Sequence, residues 1–249
     1  NQLNDPLFIR SGKGITPTTV GTNLHIHLEQ NLNQLEQTIN IMHGSKLTKN
    51  FVIYCPQLVT PQVMLEPMKR LMDLHNYEIE LHDLLLAPDS TESLLAYRKA
   101  DLVFSFAPVQ NRSIVCTPFK TLPFTLVCRN DHPRKNGKIE IEDLLQEKFT
   151  AFLSEEPGVK DYQQKMNHKL SERNIVFRSD SFMSILAMIS ASDLVGVAPE
   201  TTFEQFGKVL NLKRVEVDYK LPPVEIYMMY NRSALNSPVF ADFIENSLA

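Results

Sequence analysis

Lys13 stands between Gly12 and Gly14, the raw material of a phosphate cradle. A P-loop needs G-x-x-x-x-G-K-[ST], however, and Gly14 occupies the hydroxyl position, so that chemistry is rejected. His25 and His27 lie two apart on a predicted helix, where their side chains diverge by about 200° and cannot chelate one metal as an i, i+4 pair does. G-x-S-x-G, H-E-x-x-H and the dinucleotide fingerprint do not occur. Cys55, Cys116 and Cys128 are an odd count without CxxC spacing, which supports neither a disulfide framework nor a zinc knuckle. Cys116 and Cys128 fall on predicted strands without the close loop a redox pair needs, and Cys55 reads as a small buried hydrophobe. The expectation is a protein that is not an enzyme and carries no metal or cofactor.

The polar and aromatic residues that remain point to binding. Cys55-Pro56-Gln57-Leu58-Val59-Thr60-Pro61 follows a predicted strand at its carboxyl end, where open α/β sheets take ligands. Ser105 and Phe106 end a later strand on the same edge, Phe152 and Ser154 end a strand of a second unit, and Phe182 opens a helix. Gln57, Thr60, Ser105, Phe106, Phe152, Ser154 and Phe182 are therefore the expected ligand-lining residues. The plainer alternatives are core packing for the aromatics and simple helix capping for Thr60 and Ser181. Helix N-termini facing the cleft are expected to offer free N–H groups to a small polar or anionic ligand. With no arginine obviously entering, a neutral or weakly anionic ligand is favoured over a doubly charged one, and Arg129 and Arg178 are the cations within reach.

At the other end, Phe8 and Ile9 are strand formers, and Ser11-Gly12-Lys13-Gly14 supplies a tight turn that carries Arg10 and Lys13 at its tip. A ribbon with a cationic tip suits a phosphate backbone. Thr16 is the expected N-cap and Pro17 the first residue of a helix. From Pro17 to about His43, Val20, Leu24, Leu28, Leu32, Leu35, Ile39 and Met42 recur at spacings of three and four, which predicts one long helix with a single apolar stripe. At 1.5 Å per residue it extends roughly 40 Å, and Leu24, Leu28, Leu32, Leu35 and Ile39 are the expected seam of a dimer. The alternative is a helix lying along its own domain. Gly44-Ser45 ends it.

Beyond this point strands alternate with helices. The strands are 51–54, 77–81 and 101–106, then 149–153, 175–177 and 194–198, with amphipathic stretches between them. Pro67 is expected to kink the first of these helices or leave a carbonyl free. The pattern predicts two α/β units, each with a parallel core, joined by two crossover strands near 122–128 and 224–230. One unit comprises 50–124 and 228–249, the other 125–227, after an opening segment 1–16 and a linker helix 17–45.

With 249 residues, 43% apolar and 22% charged, the chain has ample material for a core, and a formal net charge of −4 restricts any nucleic-acid contact to a local patch. No apolar run approaches the ~20 residues of a membrane span. Cysteine usage fits a reducing cytoplasm, and no membrane partner is expected.

Asn4-Asp5-Pro6-Leu7-Phe8-Ile9-Arg10, with the turn and Thr16-Pro17-Thr18 that follow, closely resembles the wing and linker-helix start of LysR-type transcriptional regulators. The resemblance continues through Asp101-Leu102-Val103, His132-Pro133, Ile141-Glu142-Asp143-Leu144 and Asp193-Leu194-Val195-Gly196-Val197-Ala198-Pro199, and is nearest the LeuO-like and NodD-like branch. Lys99-Ala100 stands where the family often has a glycine, and Asn76-Tyr77 lacks a usual proline. The resemblance implies a periplasmic-binding-protein-like pair of subdomains and a DNA-reading helix-turn-helix ahead of Asn1. It also implies DNA contacts at Arg10, Lys13 and Thr16, an unidentified small-molecule effector, and a homodimer or homotetramer. A solute-binding protein or a small-molecule enzyme on the same bilobal fold is the alternative.

Overall fold

The computed structural model describes residues 6–11, 14–42, 49–60, 64–75, 77–133 and 137–247, and it divides into two units, Asn1–Lys49 and Asn50–Ala249. In the first, β1 (Phe8–Ser11) pairs antiparallel with β2 (Gly14–Pro17), Arg10 opposite Ile15, and α1 (Thr19–Met42) follows. Thr16 does not cap this helix. It lies in β2 opposite Ile9, and the cap is Thr18, whose Oγ accepts the Gly21 N–H at 3.0 Å while donating to the Pro6 carbonyl at 2.8 Å. The ribbon carries pairing through Pro17 itself, which moves the helix start two residues on. Gly21 is required there because a Cβ would overlap the Leu7 carbonyl. The predicted helix end at Gly44-Ser45 lies outside the described residues, as do the side chains of Ile39 and Met42.

The second unit is bilobal. One lobe holds the sheet β4-β3-β5-β12-β6, formed by β3 (Lys49–Tyr54), β4 (Tyr77–His82), β5 (Leu102–Ser105), β6 (Ile114–Leu122) and β12 (Val224–Asn231). β3 and β5 run parallel, while β12 is antiparallel to both β5 and β6. The helices α2 (Leu65–His75), α3 (Pro88–Ala96) and α8 (Pro238–Ser247) belong to this lobe. Phe240 and Phe243 of α8 pack on Phe51, with ring centroids 5.9 and 5.4 Å away. Pro67 falls in the first turn of α2, where a missing N–H has no intrahelical acceptor to lose. Arg98, just ahead of Lys99-Ala100, takes the left-handed conformation (φ 52°) after α3 and its guanidinium bonds Ser233. Asp101 then closes the turn by accepting the Val52 N–H at 2.8 Å.

The second lobe contains β7 (Phe124–Arg129), β8 (Lys148–Phe152), β9 (Asn174–Ser179), β10 (Gly196–Pro199) and β11 (Leu212–Arg214). A bridge from Phe149 to Val195 joins the β8-β9 pair to β10-β7-β11, so the order β9-β8-β10-β7-β11 repeats that of the first lobe. The helices α4 (Ile141–Leu144), α5 (Pro157–Leu170), α6 (Phe182–Ser190) and α7 (Glu200–Phe206) flank it. The chain crosses between lobes at Pro123, directly between β6 and β7, and returns ahead of β12, whose Val224 pairs with Leu122.

Beside these crossings the lobes are tied together by Glu156. Its carboxylate, 3% exposed, caps α5 by accepting the Val159 N–H at 2.8 Å and takes the Ser105 hydroxyl at 3.2 Å from the opposite lobe. The backbone N–H groups of Gly158 and Ala107 also donate to it. Burial pushes its pKa up and these hydrogen bonds oppose the rise. Gly158 lets the helix seat closely, since a Cβ there would lie 2.5–2.6 Å from Phe106 atoms. Glu156→Ala strips the acceptor from buried donors in both lobes and should cost about 1–3 kcal/mol. Thermal unfolding should then show Tm lowered by roughly 2–10 °C, and an unchanged Tm would remove Glu156 as the tie.

Candidate functional site

Two adjoining cavities open where the lobes meet, and they share Leu58, Phe152 and Phe182. The outer one, about 460 Å³, has Gln57 and Asp83 on one side and Ser154, Glu155, Asp180 and Ser181 on the other. The sequence leads one to expect free helix N-termini here, and those of α5 and α6 are already filled. Gln57 Oε1 reaches across to accept the Met183 N–H of α6 at 3.2 Å, Ser181 Oγ accepts from Ser184 N at 3.3 Å, and Glu156 occupies the start of α5. The donors that would have held an anion are spent on the protein's own oxygens. Among the described residues three carboxylates and no arginine or lysine line this mouth, although Glu155 is paired with Lys160.

The inner cavity, about 80 Å³, is walled mainly by Phe106, Phe124, Phe152 and Phe182 with aliphatic neighbours. Among the described residues its polar lining residues are Thr150 from β8, Tyr162 and Gln163 from α5, and Arg173 from the turn before β9, although the Thr150 hydroxyl itself lies against Gly196. Gln163 Nε2 donates to the Phe152 carbonyl at 2.7 Å. Arg173 Nη1 donates to Asn167 Oδ1 and to the Leu170 carbonyl, each at 2.7 Å. Burial, and after it the like charge of Arg178, lower the Arg173 pKa. Burial likewise raises that of Tyr162, which keeps it a phenol.

Of the residues nominated from sequence, Gln57 and Ser154 line the mouth, Phe106 lines the inner cavity, and Phe152 and Phe182 line both. Thr60 and Ser105 line neither. The Thr60 hydroxyl is buried and turned back on the Cys55 and Pro56 carbonyls at 3.3 Å, and Ser105 is held by Glu156. Arg129 is engaged elsewhere, by Asp131 and Asp193 at 2.6 Å. Thr150, Tyr162, Arg173 and Glu156 were not visible as site residues. Tyr162 reads as one position of the α5 stripe, and only Glu156-Pro157-Gly158 carries a local signal, that of a helix start. The Cys55 thiol is fully buried and its pKa is pushed up to about 12, which suppresses thiolate chemistry.

In the first unit, Arg10 and Thr16 are exposed on the ribbon, and Lys13 lies outside the described residues. Along α1, Leu24 is half-buried, while Leu28, Leu32 and Leu35 are 51%, 61% and 57% exposed. Among the described residues no helix is long and apolar enough to cross a membrane, and no group of three or more His, Cys, Asp or Glu is placed to hold a metal.

Residues 45–248 match the model of the LysR substrate binding domain. Over 244 residues, 98% of this chain and 81% of the relative, the sequence is 44% identical to YbdO of Escherichia coli (strain K12), described as an uncharacterized HTH-type transcriptional regulator. It is 24% identical over 243 residues to the HTH-type transcriptional regulator LeuO of the same organism, covering 93% of this chain and 74% of LeuO. The crystal structure of the probable transcriptional regulator PA0477 from Pseudomonas aeruginosa shares the fold, with a TM-score of 0.66 at 17% identity over 99% of this chain and 84% of that one. A bilobal α/β unit with matched strand orders, preceded by a β-ribbon and a long helix, accords with these matches, and the chain belongs to the LysR-type transcriptional regulators, whose effector-binding domain it contains.

Proposed function

We propose that this protein is a cytoplasmic, DNA-bound homo-oligomer whose bilobal unit senses a small molecule in the cleft between its lobes. The observation that carries this reading is that both lobes wall the same space: Gln57, Leu58 and Phe106 come from one, and Phe152, Ser154 and Phe182 from the other. A ligand that touches both prefers one closure of the lobes, and only such a preference shifts their equilibrium. Arg10, Lys13 and Thr16 belong to a wing beside the DNA, holding phosphate without reading bases. The stripe Leu24, Leu28, Leu32, Leu35 and Ile39 pairs two chains, an assignment supported by three leucines standing exposed on α1. Binding without turnover is favoured over catalysis, because the relatives that this chain matches are described as transcriptional regulators.

A thermal-shift screen of metabolites, with product analysis of each hit, tests the cleft. Ligand at about 100 times its Kd should stabilise by ~2.7 kcal/mol, raising Tm by roughly 5–10 °C. The hit should be recovered unchanged and lost on Phe182→Trp; stabilisation that survives this substitution, or conversion of the compound, defeats the reading. Leu28→Glu with Leu35→Glu should abolish dimers in sedimentation, and dimers that persist place the seam elsewhere. In the protein with its DNA-reading head, Arg10→Ala should weaken binding and reduce the salt slope by about one, with sequence preference little changed.

A further inference from the structure

Asn-Arg-Ser occurs twice in the chain, at Asn111-Arg112-Ser113 and Asn231-Arg232-Ser233, and the sheet of the first lobe sets the two copies side by side. β12 pairs with β6 out to Asn231 opposite Ile114. Just beyond that pair, the Arg232 N–H donates to the Ser113 carbonyl at 2.8 Å and Arg232 Nε to the Arg112 carbonyl at 3.3 Å. In each copy the asparagine closes its own turn: Asn111 Oδ1 accepts the Ser113 N–H at 2.9 Å, and Asn231 Oδ1 accepts the Ser233 N–H at 3.0 Å. The middle residues, Arg112 and Arg232, are left exposed. Arg98 joins them through Ser233, which its guanidinium bonds, and exposed Lys99 follows it. Tyr227 lies opposite Ser105 and Met229 opposite Val103, so this corner is at the end of the sheet remote from Ser105 and the cleft.

We infer that this corner is a second DNA-contacting surface, on which Arg112 and Arg232, flanked by Arg98 and Lys99, hold the phosphate backbone of DNA beside the site read by the head. The inference rests on the DNA-bound reading and goes beyond it by placing a contact on the bilobal unit itself. Four cations from three segments collect in a chain whose net charge is −4, and among the described residues none of the four is in an ion pair. Asp101, whose charge Arg98 favours, is half-buried and accepts the Val52 N–H. The patch lies outside both cavities of the cleft, on open surface that suits a polymer better than a small anion. A duplex carries one negative charge per ~1.7 Å of its axis and so engages several cations together. Arginine, lysine, serine and asparagine are the side chains that make such backbone contacts, which position a protein without reading bases.

Equilibrium binding by the protein with its DNA-reading head tests this on two duplexes, the shortest that retains specific binding and the same site extended on each side by about two helical turns, roughly 21 base pairs. On the extended duplex, Arg112→Gln with Arg232→Gln should weaken binding about tenfold or more at about 0.1 M salt and reduce the salt slope by about two, one for each phosphate released. On the short duplex the same variant should stay within about twofold of the parent protein, and sequence preference should move on neither. Arg112→Lys with Arg232→Lys should recover most of the loss, since a lone phosphate is held by a point charge as well as by a fork, and this pair keeps the test decisive if the glutamines disturb the turns. A loss equal on both duplexes, or lysines no better than glutamines, overturns the inference. Unchanged binding on both duplexes also overturns it and leaves the patch to an acidic protein surface. In each of these cases the head still binds and the DNA-bound reading stands, whereas a parent protein that binds no DNA specifically removes both.

Discussion

One buried carboxylate sets the geometry on which the cleft depends. Glu156 begins α5 by accepting the Val159 N–H, and the same group accepts Ser105 Oγ from the end of β5 in the other lobe. A charge this deep is tolerated only when its lone pairs are answered, and here four donors answer it. Because the donors come from both lobes, moving the lobes apart means desolvated groups losing partners together. Gly158 makes the contact close enough to matter, having no side chain to hold Phe106 away.

This tie also occupies a helix start at the cleft. A helix N-terminus is normally the ready anion site of an α/β cleft, yet α5 and α6 are met by Glu156 and Gln57 before any ligand arrives. Positive charge enters from a different direction, through Arg173 at the inner cavity, while the mouth is acidic. The cleft therefore runs from a negative entrance to a positive, largely apolar interior.

Much of the architecture was legible in the chain because it follows from local rules. The strand and helix alternation of both lobes, the apolar stripe of α1 and the glycine-bearing ribbon are periodicity and turn chemistry. The helix start after the ribbon was displaced because Thr16 and Thr18 are equally good caps in isolation, and cross-strand pairing out to Pro17 selected the second. Arg98 shows the complementary case. A left-handed residue was needed after α3, and a non-glycine fills it where Ser233, 135 residues on, bonds its guanidinium.

The site divided along the same line. Residues at strand ends and helix starts, such as Gln57, Phe152, Ser154 and Phe182, line the cavities because the edge of an α/β sheet is where side chains converge whatever their distant neighbours do. Thr60 and Ser105 had the right positions but the wrong orientation, and hydroxyl direction is set by whichever buried acceptor lies nearest. Tyr162 and Arg173 had no signal at all, since one is a stripe residue and the other sits in a turn. By itself the sequence determined the family, the two-lobed plan and the edge at which the cavities open, all of which depend on residues close together in the chain. Only the tertiary structure decided which polar groups stay unspent, because that depends on pairing between residues far apart, and a donor is available to a ligand only after every internal acceptor has made its claim.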